Sequence, residues 1–229
     1  MIEEKSPKVI VYGGNGFIGI HASNALITSG ASVVCLSRTG HKPLHLKEEN
    51  WGKDVRWCKG DASKPNIELL KTADVMVCLV GSPPLPTFSR KAYDKQFFAN
   101  GTACVNAIEG ASQAGVKKVI LLGAKIPGVM QSKSFAYFAG KQSALRSAKE
   151  FASQSESHSS IVIQPGMVTG RRVLDNGKAI RLDWMTSMIS PLLPSQFTSV
   201  ERVAQRIAHA ATNIQPYAGR CTVIAGRDI

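Results

Sequence analysis

Residues 9–19 read Val9-Ile10-Val11-Tyr12-Gly13-Gly14-Asn15-Gly16-Phe17-Ile18-Gly19, and this stretch decides the fold. A short apolar run meets glycines at positions 13, 16 and 19, and a segment of helical apolar period follows at once. That order is a strand, a tight turn and a helix start. Gly13 lets the chain turn sharply, Gly16 lets a ligand approach the backbone, and Gly19 lets the helix pack against the strand. The open N–H groups of a helix start favour a phosphate. Gly13, Asn15, Gly16, Phe17, Ile18 and Gly19 are therefore the expected pyrophosphate cradle; a glycine turn without a ligand is the alternative.

The 229 residues are long enough for one α/β domain with a sizeable core, expected to span 1–229. Apolar content of 44% and charged content of 19% fit an ordinary globular protein. No apolar run approaches the roughly 20 residues that span a bilayer. The acidic start Met1-Ile2-Glu3-Glu4-Lys5 does not read as a signal or transit peptide. The five cysteines form no C-x-x-C pair and fall mostly in apolar runs, which points to free thiols in a reducing compartment. His41 and His45 are separated by Pro43, a loop signal, and no metal site is expected.

The net charge of +12 is uneven: residues 1–114 hold 13 basic and 10 acidic side chains, residues 115–229 hold 15 and 6. A basic second half fits an anionic neighbour, whether a phosphorylated cofactor, an anionic lipid surface or an acidic protein; it also fits ordinary solvated faces. The basic residues are scattered and lack aromatic interleaving, which argues against nucleic acid.

Along the chain, a helix is expected over 17–29 and a buried strand over Ser32-Val33-Val34-Cys35-Leu36. The residue after the second strand of a dinucleotide fold lies by the adenosine ribose, where a carboxylate selects NAD and a basic group meets the 2′-phosphate of NADP. Here stand Ser37 and Arg38, with no carboxylate, so NADP(H) is expected over NAD(H). A third strand over 55–58 ends at Gly60-Asp61, placing Asp61 by the adenine edge. A buried strand over 74–80 brings Val80 and Gly81 to the crevice, and Ser82-Pro83-Pro84-Leu85-Pro86 forms a stiff loop above it. A long helical region is expected over 88–114, a strand over 117–122, a helix over 135–152 and a strand over 160–163. An irregular segment should fill 171–197, with Trp184, Met185, Met188 and Ile189 as an apolar cluster. A helix over 199–212 and a strand over 221–225 close the chain. The alternation implies an α/β, doubly wound parallel sheet, with 171–198 as a short substrate- or partner-side region.

Tyr137-Phe138-Ala139-Gly140-Lys141 sets a phenol and an ammonium four residues apart, on one face of a helix. A nearby ammonium lowers a tyrosine below its usual value of about 10, and such a tyrosine passes a proton to a carbonyl while nicotinamide delivers hydride. Tyr137 and Lys141 are the catalytic candidates; a packed Tyr137 with a solvated Lys141 is the alternative.

Gly-Gly-Asn-Gly-Phe-Ile-Gly at 13–19, Gly60-Asp61, Ala99-Asn100-Gly101-Thr102, Tyr137 with Lys141, and Pro165-Gly166-Met167-Val168-Thr169-Gly170 recur in order. Together they resemble an extended or atypical short-chain dehydrogenase/reductase with a Rossmann-like nucleotide-binding fold. Within that group the resemblance is nearest to small mitochondrial and plastid members, among them the dehydrogenase-like protein of coenzyme Q biosynthesis. A more distant likeness is to the NADPH-binding accessory subunit of respiratory complex I. The resemblance implies a mitochondrial location, with plastid or cytoplasm as alternatives, and a quinone-like or isoprenoid substrate. It implies Tyr137 as proton donor, Lys141 on the nicotinamide ribose, Asn100 beneath the active site, and Pro165 and Gly166 bordering the nicotinamide. One departure stands out: the family ends its fifth strand with a Ser or Thr, and this chain has Gly123-Ala124, with Ser132 and Ser134 as the nearest hydroxyls. A cofactor-retaining structural subunit of a mitochondrial assembly is thus the second functional expectation.

Overall fold

The computed structural model describes residues 6–46, 49–125, 135–173, 179–181, 197–213 and 219–229. Strands β1 (Lys8–Tyr12), β2 (Ser32–Ser37), β3 (Arg56–Lys59), β4 (Val75–Cys78), β5 (Lys118–Leu122), β6 (Ser159–Gln164) and β11 (Cys221–Ala225) form one sheet. Its order is β11-β6-β5-β4-β1-β2-β3, and every neighbouring pair is parallel. The expected doubly wound sheet is the observed one. The chain moves from β1 outward to β3 and then crosses back to β4, so the strand order reverses between β1 and β4. A ligand crevice belongs at the carboxyl ends of those two strands.

Alternate residues of β1 enter opposite cores. Val9 and Val11 pack with α1 (Phe17–Thr28) and α6 (Val200–Thr212), whereas Ile10 and Tyr12 pack with α4 (Ala103–Gln113) and α5 (Ala136–Ser153). Both faces are covered, which is why the strands read as unbroken apolar runs. Short α2 (Ile67–Leu70) is capped by Asn66, whose side chain accepts the Leu69 N–H at 3.0 Å.

The long helical region anticipated over 88–114 is observed over 90–113, with a π turn inside it. Helix α3 (Arg90–Phe97) starts after Ser89, whose hydroxyl accepts the Ala92 N–H, and a π turn (Phe98–Thr102) joins it to α4. The Asn100 side-chain amide donates to the Gln96 carbonyl at 3.0 Å, the acceptor that an α-helix would give to the backbone N–H of residue 100. The segment expected to be irregular carries strands at both ends. β8 (Arg171–Val173) pairs antiparallel with β9 (Ala179–Arg181), and β7 (Met167–Thr169) pairs parallel with β10 (Phe197–Ser199). Such short pairings lie below what alternation in the sequence can signal. The Trp184, Met185, Met188 and Ile189 cluster lies outside the described residues, as do Ser132 and Ser134. Among the described residues no helix is long and apolar enough to cross a membrane.

Candidate dinucleotide site

At the end of β1, Gly13 takes φ +82, a left-handed conformation that favours glycine, and its N–H donates to the Leu36 carbonyl at 2.8 Å. The chain folds back so that Gly16 N–H reaches the Gly13 carbonyl at 3.0 Å, and Gly16 caps α1. Gly19 is required by this turn itself: a Cβ there would run into the Gly13 carbonyl and lie 2.8 Å from the Gly14 Cα. The expectation that Gly19 packs against the strand is thus corrected to contact with the turn. No side chain caps α1 and its first turn holds no carboxylate. The helix start therefore keeps free donors and positive potential at the crevice, which fits an anionic pyrophosphate.

At the end of β2 the site divides into inward and outward groups. Ser37 is buried, and its hydroxyl accepts the Gly40 N–H at 3.0 Å, so it builds the turn. Arg38 and Thr39 are exposed beside it, and Asn15 Nδ2 donates to the Thr39 hydroxyl at 3.3 Å, tying the glycine turn to the end of β2. Exposed Asp61 accepts from the Ser63 N–H and hydroxyl at 2.9 and 2.8 Å. The Ser63 backbone N–H is the largest influence holding its carboxyl below the ordinary value. Burial opposes this, while the Ser63 hydroxyl and the charges of Arg38 and Lys64 add to it. Arg38 and Asp61 are therefore near neighbours at the ends of β2 and β3.

Across the crevice, β4 runs out at Cys78, and the Leu79 N–H makes a last bond to the Tyr12 carbonyl at 2.9 Å. Val80 is half-buried and Gly81 exposed. A Cβ on Gly81 would lie 2.8 Å from Asn100 Oδ1 and 3.4 Å from Lys141 Nζ, so strand end, π turn and α5 converge there. Lys141 is brought in by a close approach of helices: a Cβ on Gly101 would sit 2.9 Å from the Gly140 Cα. Its ammonium donates to the Leu122 carbonyl at 2.7 Å, and its side chain is buried, not solvated. Burial pushes the ammonium below its ordinary value, while the thiols of Cys104 and Cys78 oppose that shift.

Tyr137 stands one helical turn before Lys141, with Lys141 Nζ 5.8 Å from its ring centroid. The expected lowering of this phenol is corrected: burial pushes it up to about 12. The ammonium lies over the ring and donates to the Leu122 carbonyl, so it does little to favour phenolate. Pro165 is buried and its carbonyl accepts the Lys125 N–H at 2.9 Å; Gly166 follows it, half-buried, at the end of β6. Gly123-Ala124 follow β5, and a side chain at position 123 would meet Gln164 Cγ at 2.7 Å and Val162 Cγ1 at 2.9 Å. Thr39, Gln96, Ser82 and the buried Cys78–Cys104 pair (Sγ–Sγ 3.6 Å) also line or support this region. None belongs to a motif, and only the fold gathers them.

The model of the NAD dependent epimerase/dehydratase family matches residues 9–192, from the glycine turn through Tyr137 and Lys141 and beyond. The chain belongs to that family. An uncharacterized chloroplastic protein of Arabidopsis thaliana is 32% identical to this epimerase/dehydratase-family chain over 202 residues, 86% of the chain and 61% of that protein. MIOREX complex component 2 of Saccharomyces cerevisiae is 40% identical over 79 residues, 33% of the chain and 28% of that protein. The chain thus spans less than two thirds of either relative. A short chain dehydrogenase/reductase family oxidoreductase from Burkholderia thailandensis superposes with a TM-score of 0.71 at 17% identity, over 96% of this chain and 91% of that one. UDP-glucuronic acid 4-epimerase from Bacillus cereus, solved in complex with NAD, gives 0.69 at 18% identity, over 96% and 78%. These superpositions show that the chain shares their overall fold.

Proposed function

We propose that this epimerase/dehydratase-family chain is an NADP(H)-binding, short-chain dehydrogenase/reductase-like oxidoreductase acting on a quinone-like or isoprenoid small molecule. The observation that carries the reading is the facing of two structures across one crevice: the uncapped glycine turn of α1, and the meeting of Gly81, Asn100 and Lys141. When bound, a nicotinamide dinucleotide supplies or accepts the hydride. The turn from Gly13 to Gly19 holds the pyrophosphate, and Arg38 with Thr39 takes the adenosine ribose and its 2′-phosphate. Val80, Gly81, Pro165 and Gly166 border the nicotinamide half. Tyr137 holds a proton at its hydroxyl oxygen, and burial keeps it there at neutral pH, which suits donation to a substrate carbonyl oxygen. Lys141, fixed on Leu122, orients the ribose side of the site.

A second reading is a cofactor-retaining subunit of an organellar assembly, such as a mitochondrial complex. Gly123-Ala124 leaves no hydroxyl at the end of β5, and losing one oxyanion-type donor commonly costs about 10²–10³ in rate. The chloroplastic relative and the MIOREX complex component support an organellar setting and a multi-protein partner. A basic second half suits an acidic protein or an anionic lipid surface, and a bound dinucleotide stabilises a fold without turnover. Purified protein is titrated with NADPH and assayed against quinones and aldehydes. Oxidation of NADPH that disappears in Tyr137→Phe supports the enzyme. Tight binding without turnover, with co-purification in a large complex, supports the subunit.

A further inference from the structure

The stiff loop after β4 and the start of the tyrosine-bearing helix are joined by one side chain. Gln96, on the last turn of α3, is buried, and its Nε2 donates to the Pro83 carbonyl at 3.0 Å and the Leu85 carbonyl at 2.9 Å. Its Oε1 accepts the backbone N–H of Tyr137 at 3.1 Å. The amide orientation is fixed by these partners: two carbonyls require the donor end, and an N–H requires the acceptor end. The Tyr137 N–H belongs to the first turn of α5, where it has no partner within the helix, and Phe135 caps that helix without a side-chain bond. A second bracket lies one turn on. Asn100 Oδ1 accepts the Ser82 N–H at 3.2 Å and Asn100 Nδ2 donates to the Ser82 hydroxyl at 2.8 Å and to the Gln96 carbonyl at 3.0 Å.

We propose that Gln96 is a positioning residue that makes the 82–86 loop and Tyr137 one mechanical unit, so that whatever the loop touches in the crevice sets the placement of the Tyr137 hydroxyl. Three prolines stiffen the loop, and the Leu85 N–H closes a tight turn on the Pro83 carbonyl at 2.9 Å, so the loop moves as a body. Of the uncharged side chains of this length, glutamine supplies the two donors and one acceptor this bracket uses; glutamate lacks the donors and leucine lacks both. The functional consequence rests on the proposed dinucleotide site; the mechanical coupling does not.

The test uses residue-resolved amide hydrogen exchange on the full chain, with and without NADPH, and steady-state kinetics on any substrate found. In Gln96→Leu, protection of the Leu85 and Tyr137 amides falls about tenfold or more, while Ala107 in the core of α4 keeps its protection. In Gln96→Glu, Leu85 loses protection and Tyr137 retains it, because the carboxylate still accepts but no longer donates. NADPH slows exchange at both amides in the native chain and at only one in Gln96→Glu. Both variants lower kcat about tenfold with KM for NADPH unchanged, a split that general loss of structure would not produce. Independent responses of Leu85 and Tyr137 in Gln96→Leu, or none at either, overturn the proposal. Failure of NADPH to alter exchange in the native chain instead overturns the dinucleotide site and leaves the coupling to be judged on the ligand-free arm.

Discussion

Gly101 and Gly140 meet backbone to backbone: a Cβ built on Gly101 falls 2.9 Å from the Gly140 Cα, and one on Gly140 falls 3.0 Å from the Gly101 N. This contact lets α5 lie against the π turn, and it is what brings Lys141 next to Asn100 and Gly81. Replacing Gly140 by alanine should therefore destabilise the fold by about 1–3 kcal/mol, the usual cost of overpacking, despite the helix propensity gained. Urea unfolding of Gly140→Ala measures this. A variant as stable as the native chain would show that the helices can separate freely.

The corner shared by Arg38 and Asp61 governs the cofactor preference we propose. In Arg38→Ala, NADPH affinity should fall about tenfold, near 1.4 kcal/mol, with little change for NADH. Fluorescence titration with both nucleotides reads the ratio. If the ratio stays constant, the guanidinium does not recognise a 2′-phosphate.

Burial of Tyr137 predicts an unusual pH profile. With its phenol pushed up to about 12, the proton needed for carbonyl reduction is present throughout neutral and mildly alkaline pH. Reduction should therefore show no loss from this group below about pH 11, and Tyr137→Phe should lower it at every pH. A fall through pH 7–8 that vanishes in Tyr137→Phe would mean that the bound cofactor, or movement of Lys141, strongly lowers the phenol.

At the amino end of β5, buried Lys118 donates to the Ala210 and Asn213 carbonyls at 3.1 and 2.8 Å, closing the C-terminus of α6. Burial lowers its ammonium to about 8. Below that value the folded chain holds a charge it disfavours. As pH rises from about 8 toward 10.4 the unfolded chain binds more protons, so stability attributable to this group increases. The gain is up to about 3 kcal/mol at the top of that window. Urea midpoints across the window should show this component in the native chain and lose it in Lys118→Met.

Much of this molecule is legible in the linear chain. The apolar runs at 9–12, 32–36 and 160–163 announce buried parallel strands, because residues covered on both faces need no polar alternation. The glycine spacing at 13, 16 and 19 announces the turn, because a side chain at Gly19 would collide with the Gly13 carbonyl. Tyr137 and Lys141 announce one helical face, because their spacing is a property of the helix alone. What the chain could not announce is the environment each group enters. The phenol sits near 12 because burial outweighs its neighbour, and burial is a sum over residues distant in sequence. The π turn arises because the Asn100 side chain takes the Gln96 carbonyl, a choice made as α5 and the 82–86 loop pack around it. Local periodicity therefore determined the strands, helices and their order, and packing alone decided which polar groups face each other, since hydrogen-bond partners far apart in the chain, such as Gln96 and Tyr137 at a separation of 41 residues, leave no periodic trace.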